Sequence, residues 1–197
     1  MSEAKKHLIA FCIGNGESRK GLNLASLSEK GLTVGCNALY RDFEPDVLVS
    51  VDKAIFDEIN QNYFGFWLYR NPDRKFYLGH KILKDRMLTS GATSMYIAVE
   101  YGCNKLYMIG HDLNAIVDKK TRNNIYNNTK NYKPSTSSCL DYDKFREDVE
   151  SVITKYPNVE FIFVNHKQEA IYNHKNVRYI NYETFFKEIF KEILNEK

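Results

Sequence analysis

The sequence has few cysteines and prolines, and it has no long apolar run. Its 197 residues include only four cysteines and four prolines. No apolar stretch approaches the roughly 20 residues that span a bilayer. The polar start, MSEAKKH, leads directly into an apolar run, so no signal peptide is expected. These absences predict a cytoplasmic protein without a membrane span.

The four cysteines are widely spaced and form neither a CxxC pair nor a cysteine–histidine cluster. Cys12 and Cys36 lie in apolar, strand-like runs, where a reduced thiol behaves as a small hydrophobe. This pattern indicates a reduced protein without a structural zinc site. The formal net charge is only +3, which neither requires nor excludes a polyanionic partner.

Apolar runs alternate with helical patterns along the chain. Several of the runs read as continuous β-branched or aromatic sequences, as expected of strands covered on both faces. The succession predicts one α/β domain over 1–197, Rossmann-like and doubly wound, with a mostly parallel sheet and helices on both faces. The predicted strands are 8–13, 32–36, 47–51, 66–68, 106–109, 161–164 and 177–180, and the predicted helices are 53–60, 90–101, 141–156 and 182–194.

Two polar segments interrupt this pattern. Residues 69–79 contain a proline and are predicted to form a loop. Residues 114–138 are predicted to form a long, lid-like loop, in which Tyr126 and Tyr132 are interleaved with basic residues. Such a loop can close over phosphates or follow a nucleic-acid backbone, and a solvated surface loop is equally compatible. Its basic residues are Lys119, Lys120, Arg122, Lys130 and Lys133.

The first predicted strand ends in a glycine-bounded turn, Gly14-Asn15-Gly16-Glu17-Ser18. In open α/β folds such a turn brings backbone N–H groups to the edge of the sheet where nucleotide phosphates bind. The turn lacks the third glycine of the GxGxxG fingerprint, and no suitably placed acid supports NAD. It therefore predicts a nucleotide site of another kind, and a tight turn without a ligand remains the alternative.

Polar residues also follow three other predicted strands. Asn37 follows the second strand, Asp52 the third, and Gly110-His111-Asp112 the fifth. In a parallel sheet all of them gather along one edge. Thr89-Ser90-Gly91 precedes a helix, where Ser90 can act as a simple N-cap or the helix start can receive an anion. Asp52 is also the predicted N-cap of the helix over 53–60.

These segments resemble the nucleotide-sugar core of bacterial sialyltransferases, which include the lipooligosaccharide sialyltransferases. GNGES, CNALY and TSGATSMYIAVEYGCNKLYMIGHD are similar to that core in order and spacing over about residues 7–113. The layout also resembles a related family of flagellin motility accessory factors and an archaeal hydroxymethylpterin diphosphokinase, in which the last strand closes with G-Q-D-L. Uncharacterised proteins of tailed phages are similar too, which implies a phage-encoded member in the host cytoplasm.

The resemblance implies that the chain binds a nucleotide-activated sugar. The glycine turn would hold its phosphate or ribose, and Asn37 would contact the phosphate or sugar. Asp52 stands where the sialyltransferases have an asparagine that touches the donor, and Gly110 and Asp112 would bracket the nucleoside. The nucleotide- and sugar-binding residues implied are Gly14, Asn15, Gly16, Ser18, Asn37, Thr89, Ser90, Gly91 and Gly110.

The chain departs from the sialyltransferases in two respects. Asn114 and Lys120 stand where that family has tyrosines that hold the leaving phosphate. The segment YKPSTSSCLDYDKF has no histidine where the family has its general base. Another base is therefore expected, and the candidate catalytic residues are Asp52, His111 and Asp112. The candidates for the lid and for stabilising the leaving phosphate are Arg19, Lys20, Tyr126, Lys130 and Tyr132.

The predicted function is glycosyl transfer from a CMP- or UDP-sugar donor, without a required cofactor or metal. The acceptor would be a glycan, a small molecule or a hydroxymethylated base in phage DNA. One alternative is a Mg²⁺-dependent, diphosphokinase-like phosphoryl transferase on a pterin-like substrate, with Asp52 and Asp112 as ligands. Another is a non-catalytic protein that sequesters a nucleotide. The sequence leaves a homo-oligomer open.

Overall fold

The computed structural model describes residues 8–69, 75–78, 81–84, 88–114, 122–137, 142–164 and 171–190. Its strands are β1 Ile9–Ile13, β2 Leu32–Cys36, β3 Val47–Ser50, β4 Trp67–Tyr69, β5 Lys75–Leu78, β6 Lys81–Lys84, β7 Lys105–Ile109, β8 Glu160–Val164 and β9 Val177–Ile180. Its α-helices are α1 Lys53–Asn62, α2 Ser90–Glu100, α3 Tyr142–Lys155 and α4 Tyr182–Phe190. Short 3-10 helices cover Glu17–Arg19, Leu24–Leu27 and Asn37–Arg41.

Seven strands form one parallel sheet in the order β4-β3-β2-β1-β7-β8-β9. The chain runs outward from β1 through β2 and β3 to β4, and it then returns to place β7 on the other side of β1. This is the predicted Rossmann-like α/β fold. The strand order reverses at β1, and the diverging connections leave a crevice at the carboxyl ends of β1 and β7.

Successive residues of the strands face two separate apolar cores. Ala10 and Cys12 of β1 pack with α2 and α3 on one face of the sheet. Phe11 and Ile13 pack with α1 and α4 on the other face. All four side chains are fully buried, which explains why β1 reads as an unbroken apolar run. The prediction of helices on both faces is therefore confirmed.

The observed bounds lie within about two residues of those predicted, whereas two details of helix capping differ from the prediction. Thr89, not Ser90, is the N-cap residue of α2, and Ser90 is its first helical residue. Asp52 does occupy the N-cap position of α1, but its side chain makes no capping hydrogen bond. The predicted end of the last helix, beyond Phe190, lies outside the described residues.

The prediction of a loop over residues 69–79 is wrong in part. Tyr69 ends β4, and β5 pairs antiparallel with β6 to form a two-stranded hairpin. The signal was present in the sequence, because KFYL and KILK are separated by only two residues, which is typical of a tight hairpin. A proline and several charged residues come just before KFYL, and they are more typical of a loop than of a strand.

Candidate active site

The glycine turn after β1 interlocks with the backbone that follows β7. The Gly14 N–H donates to the Ile109 carbonyl at 2.8 Å, and the Gly16 N–H donates to the Gly110 carbonyl at 2.9 Å. A Cβ on Gly14 would lie 2.5 Å from the Gly110 oxygen, so only glycine permits this approach. Gly110 itself has a φ of 68°, in the left-handed region. The two turns form the floor of the crevice at the switch point.

The Asp112 carboxylate holds the end of the glycine turn. The Ser18 N–H donates to Asp112 Oδ2 at 3.0 Å, and the Ser18 hydroxyl donates to Oδ1. A Cβ on Gly16 would lie 2.5 Å from this carboxyl group. Asp112 thus lies at the predicted edge, with both of its oxygens accepting hydrogen bonds from Ser18.

A polar wall joins the ends of β2 and β3 to the start of α2. Asn37 donates from Nδ2 to Asp52 Oδ2 at 3.0 Å, and the Ser90 hydroxyl donates to Asn37 Oδ1 at 3.1 Å. Asn37 has a φ of 50°, a conformation that asparagine tolerates better than most residues do. The Asp52 carboxylate is exposed to solvent. Asn37 therefore orients Asp52 at the rim of the crevice.

His111 is buried beside the glycine turn and the first turn of α2. Burial lowers the pKa of its imidazole to about 4, so the ring is neutral at pH 7. A Cβ on Gly14 would lie 3.1 Å from His111 Cδ2, and a Cβ on Gly91 would lie 3.2 Å from Cε1. Two glycines thus leave room for the ring.

Three buried polar atoms of this region have no hydrogen-bond partner among the described residues: Asn15 Oδ1, Thr89 Oγ1 and His111 Nε2. All three residues line the same cavity. Leaving a buried polar group unpaired costs about 1–3 kcal/mol, so most buried polar groups in proteins are paired. A bound ligand is one means of supplying these partners.

The cavity has a volume of about 500 Å³, within the range of small-molecule sites. Its lining includes the polar strand ends described above. It also includes the apolar side chains of Leu88, Leu113 and Phe145. The cavity can therefore accommodate a ligand with one polar and one apolar part.

Residues 122–137, which make up most of the described part of the predicted lid, form hydrogen bonds with backbone groups of the site. The Ile125 N–H donates to the Asn15 carbonyl at 2.9 Å, and the Glu17 N–H donates to Asn123 Oδ1 at 2.8 Å. The Ala38 N–H donates to the Tyr132 hydroxyl at 3.3 Å. This segment forms a wall of the cavity and is attached to both the glycine turn and the residues after β2.

Arg41, which the sequence interpretation did not include, holds the same segment. Its guanidinium lies 5.6 Å from the ring centroid of Tyr126 and 5.7 Å from that of Tyr132. Its Nε donates to Glu58 at 2.7 Å, and its Nη2 donates to the Lys130 carbonyl at 2.9 Å. Burial tends to raise the pKa of Glu58, but hydrogen bonds from three side chains, including Arg41, keep it below its usual value.

The predicted phosphate-binding cations near the glycine turn do not line the cavity. Arg19 is buried, and its Nε donates to the Gly14 carbonyl at 2.7 Å. Its Nη2 donates to the Tyr126 hydroxyl at 2.9 Å. Lys20 is exposed and lies 3.8 Å from a Glu17 carboxylate oxygen. Arg19 therefore stabilises the glycine turn and does not line the cavity.

The structure brings together most of the other predicted site residues. Those that line the cavity are Gly14, Asn15, Gly16, Asn37, Asp52, Thr89, Ser90, Gly91, Gly110, His111, Asp112 and Tyr132. Those outside it are Ser18, Arg19, Lys20, Tyr126 and Lys130. The lysine and arginine side chains that line the cavity, among the described residues, are Arg122 and Lys133, which belong to the predicted basic loop. The described residues contain no group of three His, Cys, Asp or Glu that could hold a metal ion.

The sheet order defines a Rossmann-like α/β protein, and its cavity lies at the carboxyl edge, where the strand order reverses. No family model and no curated protein matches the chain. A solved structure, the MAf glycosyltransferase from Magnetospirillum magneticum AMB-1, is similar with a TM-score of 0.56 and 16% sequence identity. The match covers 90% of this chain and 34% of the other chain, so this chain spans about a third of the length of that glycosyltransferase. At this identity the likeness shows a shared fold.

The predicted resemblance to sialyltransferases and the predicted phage origin stay predictions. Among the described residues, none of the helices has the length and apolar character needed to cross a bilayer. Cys12, Cys36 and Cys103 are buried free thiols, and Cys139 lies outside the described residues.

The burial of His111 predicts a pH dependence of stability. The unfolded chain binds a proton at this side chain below about pH 6.5, whereas the folded chain does so only near pH 4. The free energy of unfolding should therefore fall as the pH falls from 6.5 towards 4. His111→Gln should weaken this dependence, which urea unfolding at several pH values measures. Parallel curves for the two proteins would contradict the expectation.

Proposed function

We propose that the chain is a glycosyltransferase-like enzyme that binds a nucleotide-activated sugar in the cavity at the carboxyl edge of the sheet. The observation that carries this proposal is the convergence of four strand ends and the start of α2 around unpaired buried polar atoms. The shared fold with a protein named a glycosyltransferase supports it.

The polar and the apolar residues that line the cavity match the two parts of such a donor. Asn37, Asp52 and Ser90 present amide, carboxylate and hydroxyl groups, which suit the hydroxyls of a sugar. Leu88, Leu113 and Phe145 offer apolar surface to a nucleoside base. The first turn of α2 lies in the cavity wall, where its N–H groups favour the linking phosphate.

Asp52 is the candidate general base for the transfer. Its carboxylate is exposed at the rim, whereas the Asp112 oxygens accept from Ser18 and the imidazole of His111 is buried. Asp52 would take the proton of an acceptor hydroxyl while the oxygen of that hydroxyl forms a bond to the anomeric carbon of the sugar. The bond from that carbon to the phosphate oxygen breaks, and the phosphate leaves with the electron pair. Arg122 and Lys133 would stabilise its negative charge.

The test is to incubate the protein with CMP-, UDP- and GDP-sugars and to follow thermal stabilisation and release of the nucleotide. We expect one donor to stabilise the native protein and to be turned over. Asp52→Asn should keep the stabilisation and lose turnover by about 100-fold or more, because the base is removed. Asp57→Asn, at an exposed position of α1, is the matched control and should behave as the native protein.

Three results would contradict the proposal. The absence of stabilisation by any nucleotide sugar would remove its basis. Stabilisation without turnover in the presence of candidate acceptors would favour a nucleotide-sequestering protein. Mg²⁺-dependent release of AMP from ATP would favour the phosphoryl transferase.

A further inference from the structure

Tyr126 of the lid segment, residues 122–137, contacts two arginines that belong to different parts of the site. Arg19 follows the glycine turn, and Arg41 ends the 3-10 helix after β2. The guanidinium carbon of Arg19 lies 5.7 Å from the ring centroid of Tyr126, and that of Arg41 lies 5.6 Å from it. Both distances are within the range of favourable cation–π contacts. Tyr126 is buried, so water screens these contacts little.

The hydroxyl group of Tyr126 both accepts and donates a hydrogen bond. It accepts from Arg19 Nη2 at 2.9 Å and donates to Asp42 Oδ2 at 2.6 Å. Burial and the hydrogen bond to Asp42 raise the pKa of this phenol, so it keeps its proton at neutral pH. Each partner is a charged group, and hydrogen bonds to charged groups are stronger than those between neutral groups. Loss of this one hydroxyl would therefore remove two strong hydrogen bonds.

These contacts close a circuit between the lid segment and the glycine turn. Arg19 Nε donates to the Gly14 carbonyl at 2.7 Å. The Ile125 N–H, next to Tyr126 in the chain, donates to the Asn15 carbonyl at 2.9 Å. Gly14 and Asn15 line the cavity, whereas Arg19 and Tyr126 do not. The two buried side chains therefore join the turn to the lid segment without lining the cavity themselves.

Arg41 holds a second stretch of the lid segment. Its Nη1 donates to Thr129 Oγ1 at 2.7 Å, and its Nη2 donates to the Lys130 carbonyl at 2.9 Å. Asn131 follows in the chain and donates from Nδ2 to Glu58 Oε2 at 2.7 Å. Glu58 also accepts from Arg41 Nε. Asn131 lines the cavity, so this group of contacts fixes part of the cavity lining.

We propose that Tyr126 is a positioning residue of the donor site, which together with Arg19 and Arg41 clamps the lid segment against the glycine turn and so sets the affinity for the donor. Because residues of the lid segment line the cavity, a form in which the segment has moved away offers the donor an incomplete site. The measured affinity then falls with the fraction of the closed form. The clamp is a property of the free protein, whereas its effect on a donor rests on the proposed function.

The first test measures amide hydrogen exchange of the free, full chain. Two amides report on the contact between the lid segment and the turn, because the Ile125 N–H donates to Asn15 and the Glu17 N–H donates to Asn123. Tyr126→Phe keeps the ring and removes the hydroxyl. It should speed exchange at both amides by about 10-fold, because the local opening that exposes them becomes easier.

Tyr63→Phe is the matched control for the loss of a buried hydroxyl. Tyr63 is buried, its hydroxyl donates to the Pro45 carbonyl at 3.2 Å, and it does not line the cavity. This substitution also lowers overall stability, but it does not touch the clamp. Exchange at the two reporter amides should therefore stay at the native rate.

The second test uses whichever of the CMP-, UDP- and GDP-sugars stabilises the native protein. Tyr126→Leu removes the ring as well as the hydroxyl, and it should raise the KM for that sugar donor about 10-fold. The kcat should change less than about twofold, because a bound donor meets an unchanged Asp52. Tyr126→Phe should raise KM by less than Tyr126→Leu does, and Tyr63→Phe should keep both constants.

The outcomes separate this proposal from the proposed function. If Tyr126→Phe and Tyr63→Phe speed exchange at the two amides equally, or if neither does, there is no clamp. If Tyr126→Leu lowers kcat and leaves KM unchanged, Tyr126 does not act through donor affinity. In both cases the proposed function stands. If the native protein binds none of the nucleotide sugars, the proposed function fails and so does the role of Tyr126 in donor binding.

Discussion

Gly14→Ala should cost about 1–3 kcal/mol of stability and abolish ligand binding. The new Cβ would lie 2.5 Å from the Gly110 oxygen, and that oxygen already accepts the Gly16 N–H. Neither turn can move away from the other without breaking the backbone hydrogen bonds that join the ends of β1 and β7. Urea unfolding gives the change in stability, and titration with the donor that the thermal-stabilisation assay selects gives the change in affinity.

Gly21→Ala is the control for this substitution. Gly21 also follows β1 and has a φ of 83°, but a Cβ built there meets nothing within 4 Å. Alanine at this position should therefore cost only the backbone strain of the left-handed conformation, about 1 kcal/mol, and should leave binding intact. Equal behaviour of the two variants would show that the close approach of the two turns is unimportant.

Asp112→Ala should weaken nucleotide binding by roughly 5- to 150-fold while the chain still folds. The substitution removes the acceptors of the Ser18 N–H and hydroxyl, which is worth about 1–3 kcal/mol in the geometry of the turn. Asp112→Asn keeps one acceptor oxygen and should give an intermediate affinity. Calorimetric titration of the three proteins measures this series.

Asp57→Ala is the matched control for the loss of a carboxylate, because Asp57 is exposed on α1. It should bind the nucleotide as the native protein does. If Asp112→Ala also retains native affinity, the carboxylate does not hold the turn in a binding conformation, and the description of this wall is wrong.

Much of the fold could be predicted because β1, β2 and β3 are buried on both faces. Their mostly apolar sequences follow from that burial, and the polar residues that come after each strand mark the carboxyl edge of the sheet. The convergence of Asn37 and Asp52 near the glycine turn follows from parallel strands alone. For these features the local sequence was sufficient, because neighbouring residues identify both the strands and the polar residues that follow them.

The side-chain roles that depend on distant partners could not be predicted. Arg19 looks like a phosphate ligand in the sequence, but Tyr126, which binds it, lies 107 residues further on. Arg41 likewise donates a hydrogen bond to the Lys130 carbonyl, which lies 89 residues further along the chain. The neutral state of His111 depends on burial by two turns from other parts of the chain. Such contacts follow from packing and leave no local pattern.

Amide hydrogen exchange of the native protein, with and without its nucleotide-sugar donor, tests the central claim most directly. The claim is that one donor contacts the glycine turn, the start of α2 and the end of β7 together. We predict that the donor slows exchange at residues 14–18, 89–92 and 110–113, with smaller changes over the rest of the described chain. Protection confined to another surface, or no protection at saturating donor, would contradict the account.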